Sequence, residues 1–426
     1  MKKFSFYTLG CKVNQYETQA MREAFIRAGY IEANPLDRAD LYIINTCTVT
    51  AKADKECRRL IRKVNRCNPA AKVIVTGCYA ESDEDVLGRM QGVYKVIKNN
   101  AKDSIVDIIE SRKDMTDSKV IGYTPLSVSG FKDHSKAFVK IQDGCDNFCS
   151  YCKIPFVRGK PRSRDIDSTL KEVRQLVSSG YKEIVLSGIC LGVWGKELRG
   201  PRELPDIIEK IVDIDGDFRL RLSSIEPANL NERLIDLVQS EHKLCKHFHI
   251  PLQSGDDRIL SAMNRPYTSK GYLGLIDLVR DKIEGVSITT DVLVGFPGES
   301  DSCFQNTCDL LEAIQPLRIH IFPYSRRPGT MAAEMGPDIP RGIIKDRARR
   351  LQALAVEKSH EFRKTFLGKT TNVLVENERN LSDGLFQGYD DRYIKIVIKS
   401  DAGRCRGIVS VRVDGVDSDH TWGTII

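Results

Sequence analysis

The sequence has no apolar stretch long enough to cross a bilayer, and its N-terminal segment, MKKFSFYTLGCKVNQ, has no apolar region of the kind that directs secretion. We therefore expect a cytoplasmic protein with no membrane partner. The chain also lacks a strong charge excess, since its formal net charge is +7 over 426 residues. Such a balance permits a nucleic-acid partner but does not require one.

The cysteine content excludes one class of protein and favours another. Thirteen cysteines, an odd number, occur in a long chain without a secretory signal. This usage argues against a disulfide framework and favours metal ligands together with buried thiols. Six cysteines have no ligand-like spacing and are predicted to be non-ligands: Cys57, Cys67, Cys245, Cys303, Cys308 and Cys405.

The pattern of strand and helix signals is that of an α/β protein with three blocks. Residues 1–113 alternate strands at 3–9, 41–45 and 72–77 with helices at 16–28 and 53–64. This alternation predicts a small parallel α/β domain. A polar, turn-prone stretch over 111–135 predicts a linker.

The second block, 131–361, contains six strand signals separated by helix-length segments, at 137–142, 183–187, 219–223, 247–251, 287–294 and 318–324. It predicts a partial (β/α)6 barrel with its chemistry at the C-terminal ends of the strands. A helical stretch over 342–366 leads to the third block, 364–426. There, β-branched runs at 372–376, 393–398 and 407–413 predict a small antiparallel β-barrel.

Cys145, Cys149 and Cys152 lie in one short loop, QDGCDNFCSYC, directly after a predicted strand. A [4Fe–4S] cluster is held by thiolates, and three cysteines leave one iron without a protein ligand. A structural zinc loop is the alternative, but such sites close with four ligands, and no fourth Cys or His is near in the sequence. The CxxxCxxC spacing therefore predicts a cluster with an open iron.

Three further cysteines each follow a strand of the first block: Cys11, Cys47 and Cys78. Loops after successive strands of a parallel sheet gather at one edge, so these side chains are expected to converge. The alternative is three unrelated core cysteines, since free cysteine is often buried. Their equivalent positions favour a second three-thiolate cluster.

The loop spacing resembles the radical S-adenosylmethionine (SAM) superfamily, and the double set of cysteines followed by a small barrel resembles the methylthiotransferase family. That family has an N-terminal domain with one cluster, a radical SAM domain with the other, and an RNA-binding TRAM barrel. Four more stretches resemble the family, and the resemblance covers nearly the whole chain: LRLSSIEP, HIPLQSGDDRILSAMNRPYT, TDVLVGFPGES and HIFPYSRRPGT.

The resemblance implies two [4Fe–4S] clusters and SAM as cofactors, and replacement of an unactivated C–H bond by C–SCH3. A radical suits that task, because no side-chain base could remove so weakly acidic a proton as that on adenine C2. The segment TLGCKVNQYET resembles the branch that acts on N6-threonylcarbamoyladenosine at position 37, beside the tRNA anticodon. An external sulfur source and a low-potential electron donor would then be partners.

Three other functions stay open at this point. The substrate could be isopentenyladenosine in tRNA or a ribosomal protein, within the same family. In a different class, the chain could be a non-catalytic RNA-binding metal protein.

Strand ends of the second block supply candidates for the SAM pocket. Backbone approach is plausible at the Gly-Phe-Pro-Gly turn, although Gly and Pro also simply end strands. Cys190 lies near the expected pocket but is more simply a small buried hydrophobe. The cofactor-binding candidates are Ser187, Gly188, Ser224, Glu226, Gln253, Asp291, Gly295 and Phe296.

One helix carries a basic stripe with no acid among its members: Lys55, Arg58, Arg59, Arg62, Lys63 and Arg66. A stripe of one sign favours phosphate contact over an ordinary solvated face, which usually mixes signs. The third block is nearly neutral, so RNA contact there should rely on aromatics, with Phe386, Tyr389 and Tyr393 as candidates. The connecting helix offers further cations: Arg341, Lys345, Arg347, Arg349 and Arg350.

Overall fold

The structure is a computed structural model that describes residues 2–34, 37–110, 123, 126–131, 135–200, 202–376, 385–399 and 407–426. Cys405 and most of the predicted linker lie outside these residues. Among the helices that are described, none combines the length and the apolar character needed to span a membrane. The domain boundaries drawn from the sequence stay predictions.

The first block is a parallel sheet, as expected. Its strands are β1 (Lys3–Thr8), β2 (Ile31–Glu32), β3 (Leu41–Thr46), β4 (Lys72–Gly77) and β5 (Val93–Ile97), in the order β2-β1-β3-β4-β5. Its helices are α1 (Lys12–Arg27), α2 (Ala51–Cys67), α3 (Cys78–Ser82), α4 (Glu84–Gly88) and α5 (Ile105–Ile109), with a 3-10 turn at Asn99–Ala101. The sequence reading missed β2, which has two residues, and β5, which is partly exposed.

Both faces of this sheet are covered by apolar side chains. Met21 and Phe25 of α1 pack with Phe4 and Phe6 on one face, and α2 supplies the other face with Cys57 and its apolar neighbours. Helix α1 also contributes Tyr16 and Ala20 to the core of the second block. The first block is therefore fixed to the second through a shared helix.

The second block is the expected open parallel barrel of six main strands: β6 (Lys136–Lys140), β9 (Glu183–Ser187), β10 (Arg219–Leu222), β11 (His247–His249), β12 (Ser287–Val294) and β13 (Arg318–Pro323). Strands β10-β9-β6 and β11-β12-β13 form two parallel sheets. Parallel bridges between Leu220 and Leu244 and between Ser224 and His249 connect them. A two-stranded hairpin of β7 (Gln142–Asp143) and β8 (Arg162–Ser163) flanks the cysteine loop.

Helices cover the outside of this barrel, and one long helix leads out of it. They are α6 (Ile154–Arg158), α7 (Ile166–Ser178), α8 (Leu204–Val212), α9 (Glu232–Ser240), α10 (Asp257–Ala262), α11 (Ser269–Lys282), α12 (Asp301–Ile314), α13 (Met331–Glu334) and α14 (Arg341–Lys364). Two 3-10 turns lie at Leu191–Val193 and Pro227–Asn229. Residues of β6, β9, β10 and the helices around them form the largest apolar core.

The third block is a closed five-stranded barrel of β14 (Thr370–Glu376), β15 (Leu385–Tyr389), β16 (Lys395–Lys399), β17 (Ile408–Val416) and β18 (Thr421–Ile425). Its pairs are antiparallel except β16 with β18, which run parallel. The sequence reading missed β15 and β18. Both have glycine among their residues, which weakens a strand signal.

The third block closes the N-terminal end of the central strands. Arg219 donates to the carbonyl of Tyr389 at 2.7 Å, and Arg221 donates to the carbonyl of Asp390 at 2.8 Å. Both guanidinium groups also pair with Glu183, at the start of β9. Burial raises the pKa of Glu183, but Arg221 and Arg219 outweigh it and lower that pKa to about 2. The opposite, C-terminal end of the strands is left for chemistry.

Candidate cluster sites and the chamber between them

The first site is formed by the strand ends that carry Cys11, Cys47 and Cys78. In register, Thr8 lies beside Asn45, and Asn45 lies beside Thr76. A Cβ atom at Gly10 would be 2.9 Å from Cβ of Cys47, so the loops after β1 and β3 are in contact. The structure therefore brings these strand ends together, as the parallel sheet predicts.

Gly77 is needed for the third strand end. Its φ is +98°, and a Cβ atom there would be 2.5 Å from main-chain atoms of Thr46. Only glycine fits this close approach, which lets Cys78 begin α3. The pKa of the Cys47 thiol is raised to about 11, mainly by burial and in smaller part by Cys78 and Cys11. The close approaches at Gly10 and Gly77 therefore place the three cysteines at one edge of the sheet.

The second site is the loop of Cys145, Cys149 and Cys152, which is fixed at several points. Cys145 donates its N–H to the carbonyl of Gly159 at 3.0 Å, and Ser150 donates to the carbonyl of Met263 at 3.0 Å. Phe148 has a φ of +45°, and its carbonyl accepts from the Asn264 amide at 3.0 Å. These bonds fix the backbone of the loop that carries the three cysteines.

Each site contains one arginine that donates to a cysteine sulfur. Arg158 Nε lies 3.3 Å from Cys78 Sγ, and Arg265 Nη1 lies 3.3 Å from Cys149 Sγ. Arg265 also pairs with Glu226. An iron–sulfur cluster held by three thiolates is anionic, and hydrogen bonds to its sulfurs stabilise it. Three thiols with one guanidinium therefore fit a cluster at each site, and the ligand assignment stays a prediction.

Cys190 lies beside the second site, closer to it than the sequence indicates. Hydrogen bonding between the Cys190 and Cys145 thiols lowers the pKa of Cys145 and raises that of Cys190. The Asn147 amide also lies 3.8 Å from Cys190 Sγ. Cys190 is buried, in agreement with the small-hydrophobe interpretation, but it touches a predicted ligand.

One chamber contacts both Cys152 of the second site and the segment that follows Cys47 of the first. This cavity of about 210 Å³ is lined by residues 48–50, which directly follow Cys47, and by residues 151–154, which include Cys152. Leu293, Phe322 and Tyr324 add apolar walls, while Gln253 and Asp291 add polar groups. A molecule in this chamber can reach residues next to both sets of cysteines.

Asp291 is held between two imidazoles. It accepts from His249 Nε2 at 3.1 Å and from His320 Nδ1 at 3.0 Å. Burial raises the pKa of Asp291, but its hydrogen bonds with His249 and His320 outweigh this and keep the pKa below its usual range. The three ligand atoms lie within 4.8 Å of one another, a spacing that could also hold a metal ion.

The other cofactor candidates fall into two groups. Glu226 lines a second cavity of about 400 Å³, beside Asn147 and Tyr267, next to the cysteine loop. Gly295 and Phe296 lie behind the chamber wall, where Phe296 is fully buried against Tyr151 and Tyr324. Ser187 and Gly188 end β9 near Gln142, and Ser224 bridges to His249. Their contact with SAM stays a prediction.

The basic stripe lies on α2, which begins at the chamber. The Ala51 N–H donates to Ser325 Oγ at 3.1 Å, and Ser325 lines the cavity. Five cations of the stripe are exposed, whereas Arg58 is half-buried and donates to the Tyr79 hydroxyl. The expectation of an acid-free stripe is wrong at one position, because Glu56 accepts from Arg59 at 2.8 Å.

The aromatic candidates of the third block have other contacts. Tyr389 and Tyr393 stack with ring centroids 4.8 Å apart, and Arg221 lies 4.7 Å from the Tyr393 ring. Both rings are half-buried against the N-terminal end of the central barrel, and Phe386 packs on the core of its own barrel. Among the α14 cations, Arg347 pairs with Glu299 and Asp301, and Arg349 pairs with Asp346. RNA contact by these residues stays a prediction.

Sequence reasoning missed three buried arginines near the two sites, two of which link the first block to the second. Arg158 and Arg265 lie outside any ligand spacing, and Arg327, which donates to Thr48 Oγ1 at 2.8 Å and pairs with Asp54, lies far from both in the sequence. Each of these arginines is almost fully buried. No signal in the sequence marks their partners, because the tertiary fold alone brings them together.

Comparison with known proteins agrees with this architecture. Residues 3–99 match the Uncharacterized protein family UPF0004, and residues 139–311 match the Radical SAM superfamily. The threonylcarbamoyladenosine tRNA methylthiotransferase MtaB of Bacillus subtilis is 35% identical over 97% of this chain and 94% of that protein. The tRNA-2-methylthio-N(6)-dimethylallyladenosine synthase of Acetivibrio thermocellus is 32% identical over 100% of this chain and 91% of that protein.

A solved structure resembles the chain in fold. It is the radical SAM methyltransferase TsrM from Kitasatospora setae, with a TM-score of 0.58 and 15% identity over 91% of this chain and 81% of that one. At this identity the likeness supports the fold alone.

Proposed function

The chain belongs to the radical SAM methylthiotransferase family, and on this basis we propose that it modifies tRNA, replacing the C2 hydrogen of N6-threonylcarbamoyladenosine at position 37 by a methylthio group. This substrate is the one for which relatives 35% to 38% identical to this chain are named. Membership of an enzyme family argues against the non-catalytic alternative.

The chamber is the observation that carries this proposal. Replacement of C–H by C–SCH3 needs a site where one carbon is reached both by the group that removes hydrogen and by the group that delivers sulfur. The cavity is bordered by residues next to Cys47 on one side and by Cys152 on the other. One chamber beside Cys152 and the segment that follows Cys47 supports that requirement.

Each set of cysteines would hold one cluster, with SAM at the open iron of the loop site. When bound, these groups would supply the hydrogen abstraction and the methylthio group, which side chains cannot provide. The chain's own residues bind and orient the substrate. Gln253 and Asp291 present polar groups to the chamber, and Leu293 and Phe322 offer apolar surface for a base.

The threonylcarbamoyl group carries a carboxylate, which a cation should receive. Lys12 directly follows Cys11 and forms no ion pair with any residue the structure describes. Burial, together with Arg221 and Lys136, lowers the pKa of Lys12 to about 8. His320, whose side chain is 43% exposed, offers a second donor beside Asp291. A cation at Lys12 would favour an anionic substituent over an apolar dimethylallyl group.

The cations of α2 would guide the RNA. They start at the helix end that touches Ser325 of the chamber, so phosphates bound along α2 would place a nucleotide at the cavity. We also infer an external sulfur source, a low-potential electron donor and a cytoplasmic location, since the reaction consumes sulfur and electrons and tRNA is cytoplasmic.

The test is anaerobic reconstitution followed by nucleoside analysis. The protein should bind about eight irons per chain, the content of two [4Fe–4S] clusters. With SAM, sulfide and a low-potential reductant, tRNA carrying threonylcarbamoyladenosine should gain one methylthio group by mass spectrometry. Matched tRNA carrying isopentenyladenosine is the control. Product on that control alone, or bound zinc in place of iron, would refute the proposal.

A further inference from the structure

The buried charges next to the first site do not balance among themselves. Arg158, Lys102 and Lys140 surround the carboxylates of Glu17 and Asp143. The side chains of the three cations are at most 5% exposed. Three cations against two anions leave one positive charge. Burying a charge without a partner costs free energy, so we expect a further anion beside this network.

One contact of Arg158 identifies the group that can supply this anion. Arg158 Nη1 donates to Glu17 Oε1 at 2.6 Å and to Asp143 Oδ1 at 3.1 Å. Its remaining Nε–H points at Cys78 Sγ, 3.3 Å away. The Cys78 sulfur is therefore the one group at this guanidinium that becomes anionic when it binds iron.

Arg158 also reaches the other two strand ends through one amide. Its Nη2 donates to Asn14 Oδ1 at 2.7 Å. The Asn14 amide nitrogen donates in turn to the carbonyl of Leu9 at 2.7 Å and to that of Thr46 at 2.9 Å. Leu9 and Thr46 lie just before Cys11 and Cys47. One guanidinium thus orients the segments that carry all three cysteines.

Arg158 itself belongs to the other site. It is the last residue of α6, in the segment that follows Cys152, and α6 packs against α3, which begins at Cys78. The residue that contacts the first set of cysteines therefore lies in the helix that directly follows the second set. This link ties the relative position of the two sites to one side chain.

We propose that Arg158 is a positioning residue for the cluster at Cys11, Cys47 and Cys78, and that its charge and its hydrogen bond to Cys78 raise the reduction potential of that cluster. Hydrogen bonds to cluster sulfurs and local charge are established determinants of such potentials. This inference rests on the proposed function, because it takes the first set of cysteines to be cluster ligands.

The test isolates the first cluster. In a chain carrying Cys145→Ala, Cys149→Ala and Cys152→Ala, the signal in an EPR-monitored redox titration comes from the first site alone. Arg158→Gln should shift its midpoint to a more negative potential, with a smaller shift for Arg158→Lys. Arg219→Gln, which removes another buried arginine between two blocks, at the opposite end of the central barrel, is the matched control and should leave the midpoint unchanged.

If Arg158→Gln does not retain iron, a second variant tests the direction in which the midpoint potential shifts. Glu17→Gln removes one negative charge from the same network and should shift the midpoint to a more positive potential. An unchanged midpoint in Glu17→Gln, or in an iron-loaded Arg158→Gln, would overturn the inference and leave the proposed function standing. If the triple cysteine variant binds no iron at all, the cluster assignment itself fails, and the inference with it.

Activity of the otherwise unaltered chain gives a separate readout. Arg158→Gln should lower methylthio product by about 10–100-fold, the usual cost of losing a group that supports a metal ligand. Reductive SAM cleavage, measured as 5′-deoxyadenosine, should persist because the second set of cysteines is intact. Loss of both activities together would indicate a general structural defect and contradict the assigned role.

Discussion

The two cysteine sites are built in opposite ways. The second site takes its three cysteines from one loop, fixed by main-chain bonds to Gly159 and Met263. The first takes each cysteine from a different strand end, and its geometry depends on the register of β1, β3 and β4. A loop can keep its shape locally, whereas the strand-end site exists only if the whole sheet has formed.

The charged groups around the two sites differ in the same way, because one set is local and the other spans two blocks. At the loop site, Arg265 contacts Cys149 and pairs with Glu226, whose side chain is 24% exposed. At the strand-end site, Arg158 belongs to a buried network that spans two blocks. The strand-end site should therefore be more sensitive to changes far from its cysteines.

The largest expected effect separates the two sites by their chemistry. Cys78→Ala should abolish methylthiolation while 5′-deoxyadenosine still forms, because the loop site is unchanged. Cys149→Ala should abolish both products. Iron content should fall by about half in each variant, since each would lose one of two clusters. Mass spectrometry of nucleosides and of SAM products in the same samples gives the measurement. Methylthiolation retained in Cys78→Ala would contradict separate roles for the two sites.

The opposite end of the central barrel provides a stability test that should leave both sites intact. The pKa of Glu183 is lowered to about 2 from its ordinary value of 4.5, so its stabilising effect is complete above pH 4.5 and is lost as the pH falls towards 2. Glu183→Gln should lower the free energy of unfolding by about 3–5 kcal/mol at pH 7, because it leaves buried guanidinium groups unpaired.

Thermal unfolding of the metal-free protein between pH 5 and 3 checks this prediction. The native protein should lose stability over that range, and the difference from Glu183→Gln should shrink as the pH falls. A constant difference would show that the pKa of Glu183 is the same in the folded and the unfolded chain. The matched control is Glu209→Gln, which removes an exposed partner of Arg233 and should change little.

A smaller effect is expected on the RNA-binding side of the first site. Arg62 forms no ion pair with the residues that the structure describes, whereas Arg59 is paired with Glu56. Arg62→Ala should weaken tRNA binding and reduce the salt dependence of log K by about one unit. Arg59→Ala should have a smaller effect on both binding and salt dependence, because Glu56 already partly neutralises the charge of Arg59. Equal effects in a salt series of binding measurements would argue against this distinction.

The smallest effect should come from the extra thiol at the loop site. Cys190→Ala removes the hydrogen-bonding partner of Cys145 but no predicted ligand. Iron content should be unchanged, and SAM cleavage should stay within a few-fold of the unaltered chain, as expected for loss of one weak thiol contact. Cys57→Ala is the control, because this thiol lies on the buried face of α2, in the core of the first block. A large loss of iron from Cys190→Ala would mean that the loop site uses a fourth thiol.

Much of the fold followed from the sequence pattern. The alternation of strands and helices identified β1, β3, β4 and the six central strands, because buried parallel strands are long apolar runs. The weakest elements escaped: β2 is too short for a pattern, and β15 and β18 contain glycine. The acid-free reading of the α2 stripe failed at Arg59, since periodicity places a side chain on a face but does not assign its partner.

By itself, the sequence determined the loop site and the three strand-end cysteines, because ligand spacing and strand ends are local features. Tertiary structure alone decided that Cys152 and the segment after Cys47 line one chamber. It also decided that Tyr389 and Tyr393 pack against the N-terminal end of the central barrel, and that Arg158 joins the two sites. The reason is physical. A buried charge is stable only beside partners, and those of Arg158 are Glu17, 141 residues away, and Cys78, 80 residues away.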